Sequence, residues 1–288
     1  MSNTCVALIG ANGMLASQVV TSAPAQVEIH PFDLPTFDLT AEATVLSTIE
    51  ALRPQLIINC AAYTDVDGCE SNEALATEVN GAGPGYLAAA ARTVGAKLLH
   101  ISTDYVFDGT RSEAYAEDAM PHPQSAYGRS KLAGERAIIA SGLAEYLIVR
   151  TSWLYGPAGN NFVETILRLA NERESLGIVA DQVGSPTFTG DLADAIWRLL
   201  ATDANGIFHF SNMGQCSWYE FAQEIVAQAR LRRLPLKVKE VRPLRTEEYP
   251  LPAPRPAYSL LSKERYLEIT GVTIPEWRES LRCYFDIR

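Results

Sequence analysis

Short apolar runs alternate with longer amphipathic segments over the first half of the chain. The apolar runs, bounded mostly by glycine, proline or polar residues, occupy positions 5–9, 27–29, 56–59, 97–101 and 146–150. Runs this short and this apolar are typical of parallel strands that are buried on both faces. The segments between them fit helices at 17–20, 38–52, 72–94 and 127–141. Strands that alternate with helices predict an α/β fold with a Rossmann-like, doubly wound parallel sheet.

The pattern becomes less regular after residue 152, which predicts a second, smaller α/β domain. Helical patterns cover 161–172, 191–200 and 218–229, and short strands are predicted at 178–180 and 207–210. Prolines are frequent between 235 and 256, which suits an irregular segment that shapes a pocket. We therefore expect domains at 1–152 and 153–288. About 177–212 is expected to return to the first sheet, so that the two domains are interleaved.

The first predicted strand runs directly into a glycine turn and a helix. Gly10 permits a tight turn, Gly13 lets the backbone approach a phosphate, and Ala16 keeps helix and strand close. The N-terminus of a helix also attracts anions, because its first N–H groups lack partners and its dipole is positive there. This order of strand, turn and helix predicts that the first domain binds a dinucleotide.

Acidic residues follow the second predicted strand. Asp33 lies within the distance at which a carboxylate can hold the 2′-hydroxyl of an adenosine ribose. A carboxylate there would repel the 2′-phosphate of NADPH and so favours NADH; the alternative for Asp33 is a capping role. Asp38 could cap the helix that follows it, or reach an adenine amine.

Two further features surround the third predicted strand. Ala61 and Ala62 form a small-residue turn that would let a cofactor lie against the backbone. Asn80 falls inside the predicted helix 72–94, where it would either face solvent or support the backbone of an active site.

Tyr127 and Lys131 are four residues apart in a predicted helix, so they share one face. A free tyrosine has a pKa of roughly 10, and lowering it by about three units requires roughly 4 kcal/mol. A cation ~4 Å away supplies that much at an effective dielectric of about 20. Tyr-x-x-x-Lys is common by chance, so its weight depends on its surroundings. Thr103 follows the fourth predicted strand, at the same sheet edge as the glycine turn.

Composition and charge narrow the class of protein. The chain of 288 residues is 47% hydrophobic and 20% charged, as soluble globular proteins are. Its formal charge of -10 argues against a nucleic-acid partner, because phosphate binding needs a basic face. The most basic stretch, 230–245, is expected to be solvated or to face an anionic ligand.

Cellular location can be inferred from what the sequence contains. Its five cysteines are scattered without paired spacing, which favours reduced thiols over disulfides or a zinc site. No apolar stretch reaches the roughly 20 residues of a membrane span. No lysine or arginine precedes Arg53, so the positively charged region that begins a signal peptide is missing. We therefore expect a cytoplasmic protein without a membrane partner.

Longer motifs extend over most of the chain. They are 103–109 (TDYVFDG), 127–135 (YGRSKLAGE), 150–153 (RTSW), 160–162 (NNF), 181–182 (DQ), 186–187 (PT) and 255–256 (RP). In these motifs the chain resembles the dTDP-4-dehydrorhamnose reductase family of the extended short-chain dehydrogenase/reductases. The resemblance implies that NADPH or NADH reduces the C4 ketone of dTDP-4-dehydro-β-L-rhamnose to give dTDP-L-rhamnose, a precursor of cell-surface polysaccharide.

The resemblance also implies roles for individual residues. Tyr127 would protonate the ketone oxygen, Lys131 would lower the pKa of that tyrosine and hold the nicotinamide ribose, and Thr103 would hydrogen-bond the substrate oxygen. The cofactor-binding positions would be Gly10, Asn12, Gly13, Met14, Leu15, Asp33, Asp38, Leu39, Ala61, Ala62, Tyr63, Thr64, Tyr127 and Lys131. The substrate-binding positions, which place the sugar nucleotide mainly on the second domain, would be Thr103, Asp104, Tyr127, Trp153, Asn161 and Arg255. Arg255 would bind the diphosphate or simply anchor the tail.

Two alternatives to this function remain. One is reduction of another nucleotide-activated 4-keto-6-deoxy sugar; the other is a non-catalytic regulatory subunit like that of methionine adenosyltransferase. Trp153, Asn161 and Arg255 favour the enzyme, since a regulator would not need a full sugar-nucleotide pocket. Some members of the family join through carboxylate-bound magnesium, but Gln18 and Gly190 leave no carboxylate cluster, so we expect no metal. The expected state is a monomer or a homodimer.

Overall fold

A parallel sheet of six strands lies at the centre of the computed structural model, which describes residues 4–288. The strands are β1 (Thr4–Ile9), β2 (Val27–Phe32), β3 (Leu56–Asn59), β4 (Lys97–Thr103), β5 (Tyr146–Thr151), β6 (Leu154–Tyr155), β7 (Ser175–Val179), β8 (Val183–Gly184), β9 (Thr187–Phe188), β10 (Gly206–His209), β11 (Cys216–Ser217) and β12 (Glu240–Leu244). The central sheet has the order β10-β5-β4-β3-β1-β2, and all of its pairings are parallel.

Helices cover the sheet and build the rest of the chain. They are α1 (Met14–Thr21), α2 (Glu42–Leu52), α3 (Val66–Ser71), α4 (Glu73–Thr77), α5 (Gly83–Val94), α6 (Ala126–Ala140), α7 (Phe162–Glu172), α8 (Thr189–Leu200), α9 (Trp218–Leu231), α10 (Glu264–Thr270) and α11 (Trp277–Ile287). None of the helices within residues 4–288 is long and apolar enough to cross a membrane.

The sheet is buried on both faces, as its apolar strands require. Val6 and Leu8 of β1 pack in a core with side chains of α1 and α8. Ala7 and Ile9, which point to the opposite face, pack in another core with side chains of α2 and α5. The predicted α/β fold with a doubly wound parallel sheet is thereby confirmed.

Part of the second half of the chain joins the central sheet, and the rest forms a separate hydrophobic core. Strand β10 is the edge strand beside β5, and α8 packs against α1, where Trp197 Nε1 donates to the Val19 carbonyl at 3.0 Å. Strand β7, in contrast, pairs with β12. Helices α7, α9 and α11 enclose a separate core that contains Phe221 and Trp277. The predicted boundary at residue 152 stays a prediction.

The predicted continuous helix 72–94 is wrong in one respect. A π-helical segment, Glu78–Ala82, separates α4 from α5. Asn80 lies in it and is 1% exposed, so the solvent-facing alternative is wrong. Its side chain accepts from the Tyr63 N–H and donates to the Tyr63 carbonyl and to Ser130 Oγ. Asn80 therefore ties the turn after β3 to α6.

Asp38 does not cap the helix that follows it. Helix α2 begins at Glu42, and its N-cap residue, Ala41, offers no side-chain acceptor. Asp38 Oδ1 instead accepts from the backbone N–H and the hydroxyl of Thr40. The carboxylate therefore closes a local turn before the helix. Asp38 also lines the cleft that is described below.

Candidate active site

The carboxyl ends of the central strands open into a cleft of about 710 Å³. Its walls are the turns and loops that follow β1, β2, β3, β4 and β5, together with the start of α6. The sequence-predicted residues that line it are Gly10, Asn12, Gly13, Met14, Leu15, Asp33, Asp38, Leu39, Ala61, Ala62, Thr64, Thr103, Asp104, Tyr127, Lys131 and Trp153. Residues far apart in the sequence are thus brought to one edge of the sheet, where ligands bind in such folds.

The glycine turn forms one end of the cleft. Gly10 has a φ of +77°, and an added Cβ would lie 2.6 Å from the Ala61 nitrogen, so only glycine fits there. Gly13 is the N-cap residue of α1 and has no side chain to accept from the first N–H groups of the helix. These N–H groups suit a phosphate.

Asp33 closes the turn from the side of β2. Its Oδ2 accepts from the Asn12 N–H at 2.8 Å, and its Oδ1 accepts from the Leu34 N–H at 2.7 Å. The carboxylate therefore holds backbone at the cleft and also lines it. The capping role and the cofactor role predicted for Asp33 are compatible in this geometry.

Tyr127 lies in the first turn of α6 and faces Thr103 at the end of β4. The helix begins where Ser125 Oγ accepts from the Gly128 N–H at 3.1 Å. Residue 128 must be glycine, because an added Cβ would collide with the Tyr105 carbonyl oxygen. Surrounding protein raises the pKa of the Tyr127 phenol by desolvation, and a hydrogen bond with the Thr103 hydroxyl partly opposes the shift. The phenol is therefore protonated at neutral pH.

Lys131 is buried beneath Tyr127 on the same helix. Its Nζ donates to the Ile101 carbonyl at 2.7 Å and lies 3.4 Å from His100 Nε2. Burial lowers the pKa of Lys131 to about 8. Burial raises the pKa of Tyr127 with Lys131 in place, and the predicted lowering of that pKa by the lysine stays a prediction.

Asp104 continues the polar chain from Tyr127 towards the second half of the molecule. It is 2% exposed and accepts from Thr103 Oγ1 at 3.0 Å. Burial raises its pKa to about 6, although hydrogen bonds with Ser259 and Thr103 oppose the shift. Thr103 therefore contacts both the phenol and this carboxyl, and all three groups line the cleft.

Three predicted site residues do not line the cleft: Tyr63, Asn161 and Arg255. The backbone of Tyr63 is bonded to Asn80, as described above. Asn161 caps α7, where its Oδ1 accepts from the Glu164 N–H at 3.1 Å, and it also donates to the Gly156 carbonyl. Its neighbour Asn160 lines the cleft instead.

Arg255 anchors the tail. Its guanidinium donates to both carboxylate oxygens of Asp67, at 2.5 and 2.8 Å, and to the Ala253 carbonyl. It lines a smaller cavity of about 200 Å³, which it shares with Tyr105. Of its two predicted roles, the structure shows the anchor, and the role at the diphosphate stays a prediction.

Sequence reasoning missed a second tryptophan. The ring of Trp153 stacks on Trp218, with 3.5 Å between centroids and 9° between planes. Trp218 begins α9 and carries no sequence signal of its own, because the contact depends on how two distant segments pack. Tyr105 lines the cleft beside Tyr127 and lies inside the TDYVFDG motif, so it could have been predicted from the sequence.

Within residues 4–288, no group of three or more His, Cys, Asp or Glu side chains is placed to hold a metal ion.

Comparison with known proteins identifies the family of this chain. The family model described as RmlD substrate binding domain matches residues 4–287. The chain belongs to this family. An RmlD-family relative from Burkholderia thailandensis, named dTDP-4-dehydrorhamnose reductase, is 41% identical over 98% of each chain. A Streptomyces niveus relative, named dTDP-4-keto-6-deoxy-D-glucose reductase, is 38% identical and covers 96% of this chain and 95% of its own.

A solved RmlD-family structure agrees closely with this one. The crystal structure of dTDP-4-dehydrorhamnose reductase from Bacillus anthracis, in complex with NADP, superposes with a TM-score of 0.94. It is 43% identical and covers 99% of this chain and 100% of its own. The family resemblance inferred from the sequence motifs is therefore confirmed.

Proposed function

We propose that the chain is an NADPH- or NADH-dependent reductase that converts dTDP-4-dehydro-β-L-rhamnose into dTDP-L-rhamnose. The observation that carries this is the convergence of Tyr127, Thr103 and Lys131 on the cleft that begins at the glycine turn. A phenol held at the sheet edge beside a dinucleotide-binding turn can protonate a ketone while hydride reaches the carbonyl carbon. The names of the relatives supply the substrate.

The residues at the glycine-turn end fit a dinucleotide. Gly10 lets the backbone of the turn approach a phosphate, and the N-terminus of α1 has unpaired N–H groups. The small side chains of Ala61 and Ala62 leave room for the cofactor on the adjacent wall. The reduced nicotinamide, when bound, supplies the hydride. Lys131 lies deeper in the same wall, where its remaining N–H groups can hold ribose hydroxyls.

Tyr127 supplies the proton. Reduction adds a hydride to the carbonyl carbon and a proton to the oxygen, so one acid and no metal are required. Because burial keeps the Tyr127 phenol protonated at neutral pH, it can donate to the oxygen as negative charge develops there. Thr103 contacts the phenol. Its hydroxyl, which donates to Asp104 in this structure, can donate to the ketone oxygen instead. Its role is to position the ketone against the acid.

A second candidate substrate is dTDP-4-keto-6-deoxy-D-glucose. It is favoured by the Streptomyces niveus relative, whose identity to this chain is within a few per cent of that of the rhamnose enzymes. Both substrates present a C4 ketone on a dTDP-linked 6-deoxy sugar, so they require the same acid and hydride. They differ in the orientation of substituents, which the Trp153 side of the cleft would have to distinguish.

Turnover with each keto-sugar tests the proposal. The purified protein is mixed with enzymatically prepared dTDP-4-dehydro-β-L-rhamnose and NADH or NADPH, and loss of reduced-nicotinamide absorbance is followed. We expect oxidation that depends on the sugar and a product that NMR identifies as dTDP-L-rhamnose. Cofactor binding without turnover of either keto-sugar would contradict it and favour a regulatory role. The cytoplasmic location and the monomeric or dimeric state are proposed with it.

A further inference from the structure

A chain of buried polar groups lies behind Lys131, on the side away from the cleft. Asn59 ends β3, His100 lies beside it in β4, and both are at most 1% exposed. Asn59 Nδ2 lies 3.0 Å from His100 Nδ1, and His100 Nε2 lies 3.4 Å from Lys131 Nζ. The mechanism above uses neither Asn59 nor His100, yet they are in contact with its lysine.

Asn59 fixes which nitrogen of His100 carries the proton. Asn59 Oδ1 accepts from the Ala61 N–H at 3.0 Å, so the amide oxygen is committed to the turn after β3. The amide nitrogen, which can only donate, therefore faces His100 Nδ1, and Nδ1 must accept. Burial holds the pKa of His100 well below its usual value, so the ring is neutral. A neutral imidazole that accepts at Nδ1 carries its proton on Nε2.

The protonated Nε2 of His100 points at Lys131. An ammonium has three donors and no acceptor, so an N–H facing it repels it. An uncharged amine has a lone pair that accepts from this N–H, while it still donates to the Ile101 carbonyl. The contact therefore favours the amine over the ammonium, in the same direction as burial.

Other titratable groups near Lys131 act in the opposite direction. Glu135, one turn further along α6, and Cys60, after β3, both favour the ammonium. Glu135 is paired with Arg150 through two hydrogen bonds of 2.9 and 2.6 Å, so much of its charge is already compensated. Burial raises the pKa of Cys60 to about 12, so this thiol is uncharged at neutral pH.

We propose that His100 is a positioning residue for Lys131: held in one tautomer by Asn59, it directs an N–H at the lysine and so favours the amine over the ammonium. The contact stands on geometry alone, whereas its use in catalysis rests on the proposed function. There, a lysine that gives up its proton readily can return one to the cleft after Tyr127 has given its own to the substrate, and can then regain one from solvent.

The tautomer is tested first, in the wild-type protein without substrate. Nitrogen-15 NMR distinguishes a protonated from an unprotonated imidazole nitrogen, and the chain has only four histidines. We expect His100 to show a protonated Nε2 and an unprotonated Nδ1 throughout the neutral range. The opposite tautomer, or a charged ring, would overturn the proposal.

The lysine is tested by side-chain NMR titration, with Lys131→Arg used to assign its signal. We expect a wild-type midpoint at about pH 8, as its lowered pKa implies. His100→Gln can turn an amide oxygen towards Nζ. The carboxylate of Asn59→Asp still accepts from the Ala61 N–H, but it also accepts from His100 Nδ1–H. The ring proton then lies on Nδ1, and Nε2 becomes an acceptor. Both variants should raise the midpoint by about one pH unit or more.

His209→Gln is the matched control. His209 is also fully buried, and its ring contacts the Tyr115 carbonyl and Arg150. It should leave the Lys131 midpoint unchanged. An equal shift in this control, a shift in Asn59→Asp but not in His100→Gln, or a wild-type midpoint near the usual value for lysine would each overturn the proposal.

Catalysis gives a second readout that separates this inference from the proposed function. If Lys131 acts as the ammonium, reductase turnover should fall as pH rises through its midpoint, and in both variants this fall should move upward with the NMR titration. A protein without reductase activity would refute the proposed function, while the NMR titrations would still decide the role of His100.

Discussion

The two ends of the cleft are built in different ways. At the glycine-turn end, neighbouring residues of one strand, turn and helix present backbone N–H groups, and Asp33 holds that backbone in place. At the Trp153 end, side chains from distant segments meet, as Trp153 does with Trp218. The first end depends on local conformation, whereas the second depends on the packing of the second half of the chain.

This difference predicts that mutations at the two ends affect different quantities. Changes at the glycine-turn end should alter cofactor affinity or preference, and changes at the Trp153 end should alter the KM for the sugar nucleotide. Tyr127 lies between the two ends and contacts Thr103, so it should affect turnover without a large change in either affinity.

Tyr127→Phe should have the largest effect. It removes the proton donor while keeping the ring, so we expect kcat to fall about 10²- to 10⁴-fold, the usual contribution of a general acid. Cofactor affinity, measured by fluorescence titration, should stay within a few-fold of wild type. Turnover near the wild-type rate would remove Tyr127 from the role of acid.

Trp218→Ala should selectively disturb the Trp153 end of the cleft. Loss of the stacked partner frees the Trp153 ring, and an aromatic pair contributes about 0.5–1.5 kcal/mol, so KM for the sugar nucleotide should rise up to about tenfold. The dissociation constant of the cofactor should not change. Trp218→Phe, which keeps an aromatic face, serves as the matched control and should restore most of the affinity. An unchanged KM in Trp218→Ala would separate this pair from substrate binding.

Asp33→Asn should change cofactor preference. The amide still offers an oxygen to the Asn12 N–H, but it removes the negative charge that would repel the 2′-phosphate of NADPH. An exposed charge pair is usually worth up to about 1 kcal/mol, so the preference for NADPH over NADH should rise about threefold to fivefold. The ratio of kcat/KM for the two cofactors measures it. A ratio equal to that of wild type would mean that Asp33 only caps the turn.

Asp67→Asn should have the smallest effect and should act on stability. Hydrogen bonds from Arg255 hold the pKa of Asp67 below its usual value, so the pair stabilises the folded state above the unfolded-state pKa. That contribution is lost as pH falls through the folded-state pKa. Because the pair is partly exposed, we expect a loss of only about 1 kcal/mol at neutral pH.

Denaturant unfolding of wild type and Asp67→Asn, at neutral pH and in acid, measures this contribution. The difference between the two proteins should shrink in acid; a constant difference would mean that the charge of Asp67 is not involved.

Arg255→Gln should leave KM for the sugar nucleotide within a few-fold of the wild-type value, as a residue that only anchors the tail requires. A large rise in KM would mean that Arg255 binds the substrate diphosphate.

The parts of the site that could be predicted from sequence are those fixed by local conformation. The turn at Gly10 and the pairing of Tyr127 with Lys131 follow from spacing, because strand ends and helix faces are set by the backbone. The parallel sheet followed from its short apolar runs for the same reason. The position of Thr103 after the fourth strand followed in the same way, and the motif resemblance then supplied Asp104. Both residues line the cleft.

The parts that could not be predicted depend on tertiary packing. Asn160 and Asn161 are adjacent in one motif, and only the path of the chain into α7 decides that Asn161 caps the helix. The raised pKa of Tyr127 follows from burial, which a spacing of four residues does not reveal. The partner of Arg255, Asp67, is 188 residues away along the chain, where no sequence pattern links the two.

The most direct test of the account is transfer of deuterium from the nicotinamide to the sugar. Wild-type protein is incubated with dTDP-4-dehydro-β-L-rhamnose and reduced cofactor that carries deuterium at C4 of the nicotinamide, on one face and then on the other. For one of the two labelled cofactors, we predict deuterium at C4 of the sugar ring, detected by NMR and mass spectrometry, and almost none in Tyr127→Phe. A product without deuterium from either cofactor, or with deuterium at another carbon, would contradict the central claim that the two ends of this cleft together reduce a C4 ketone.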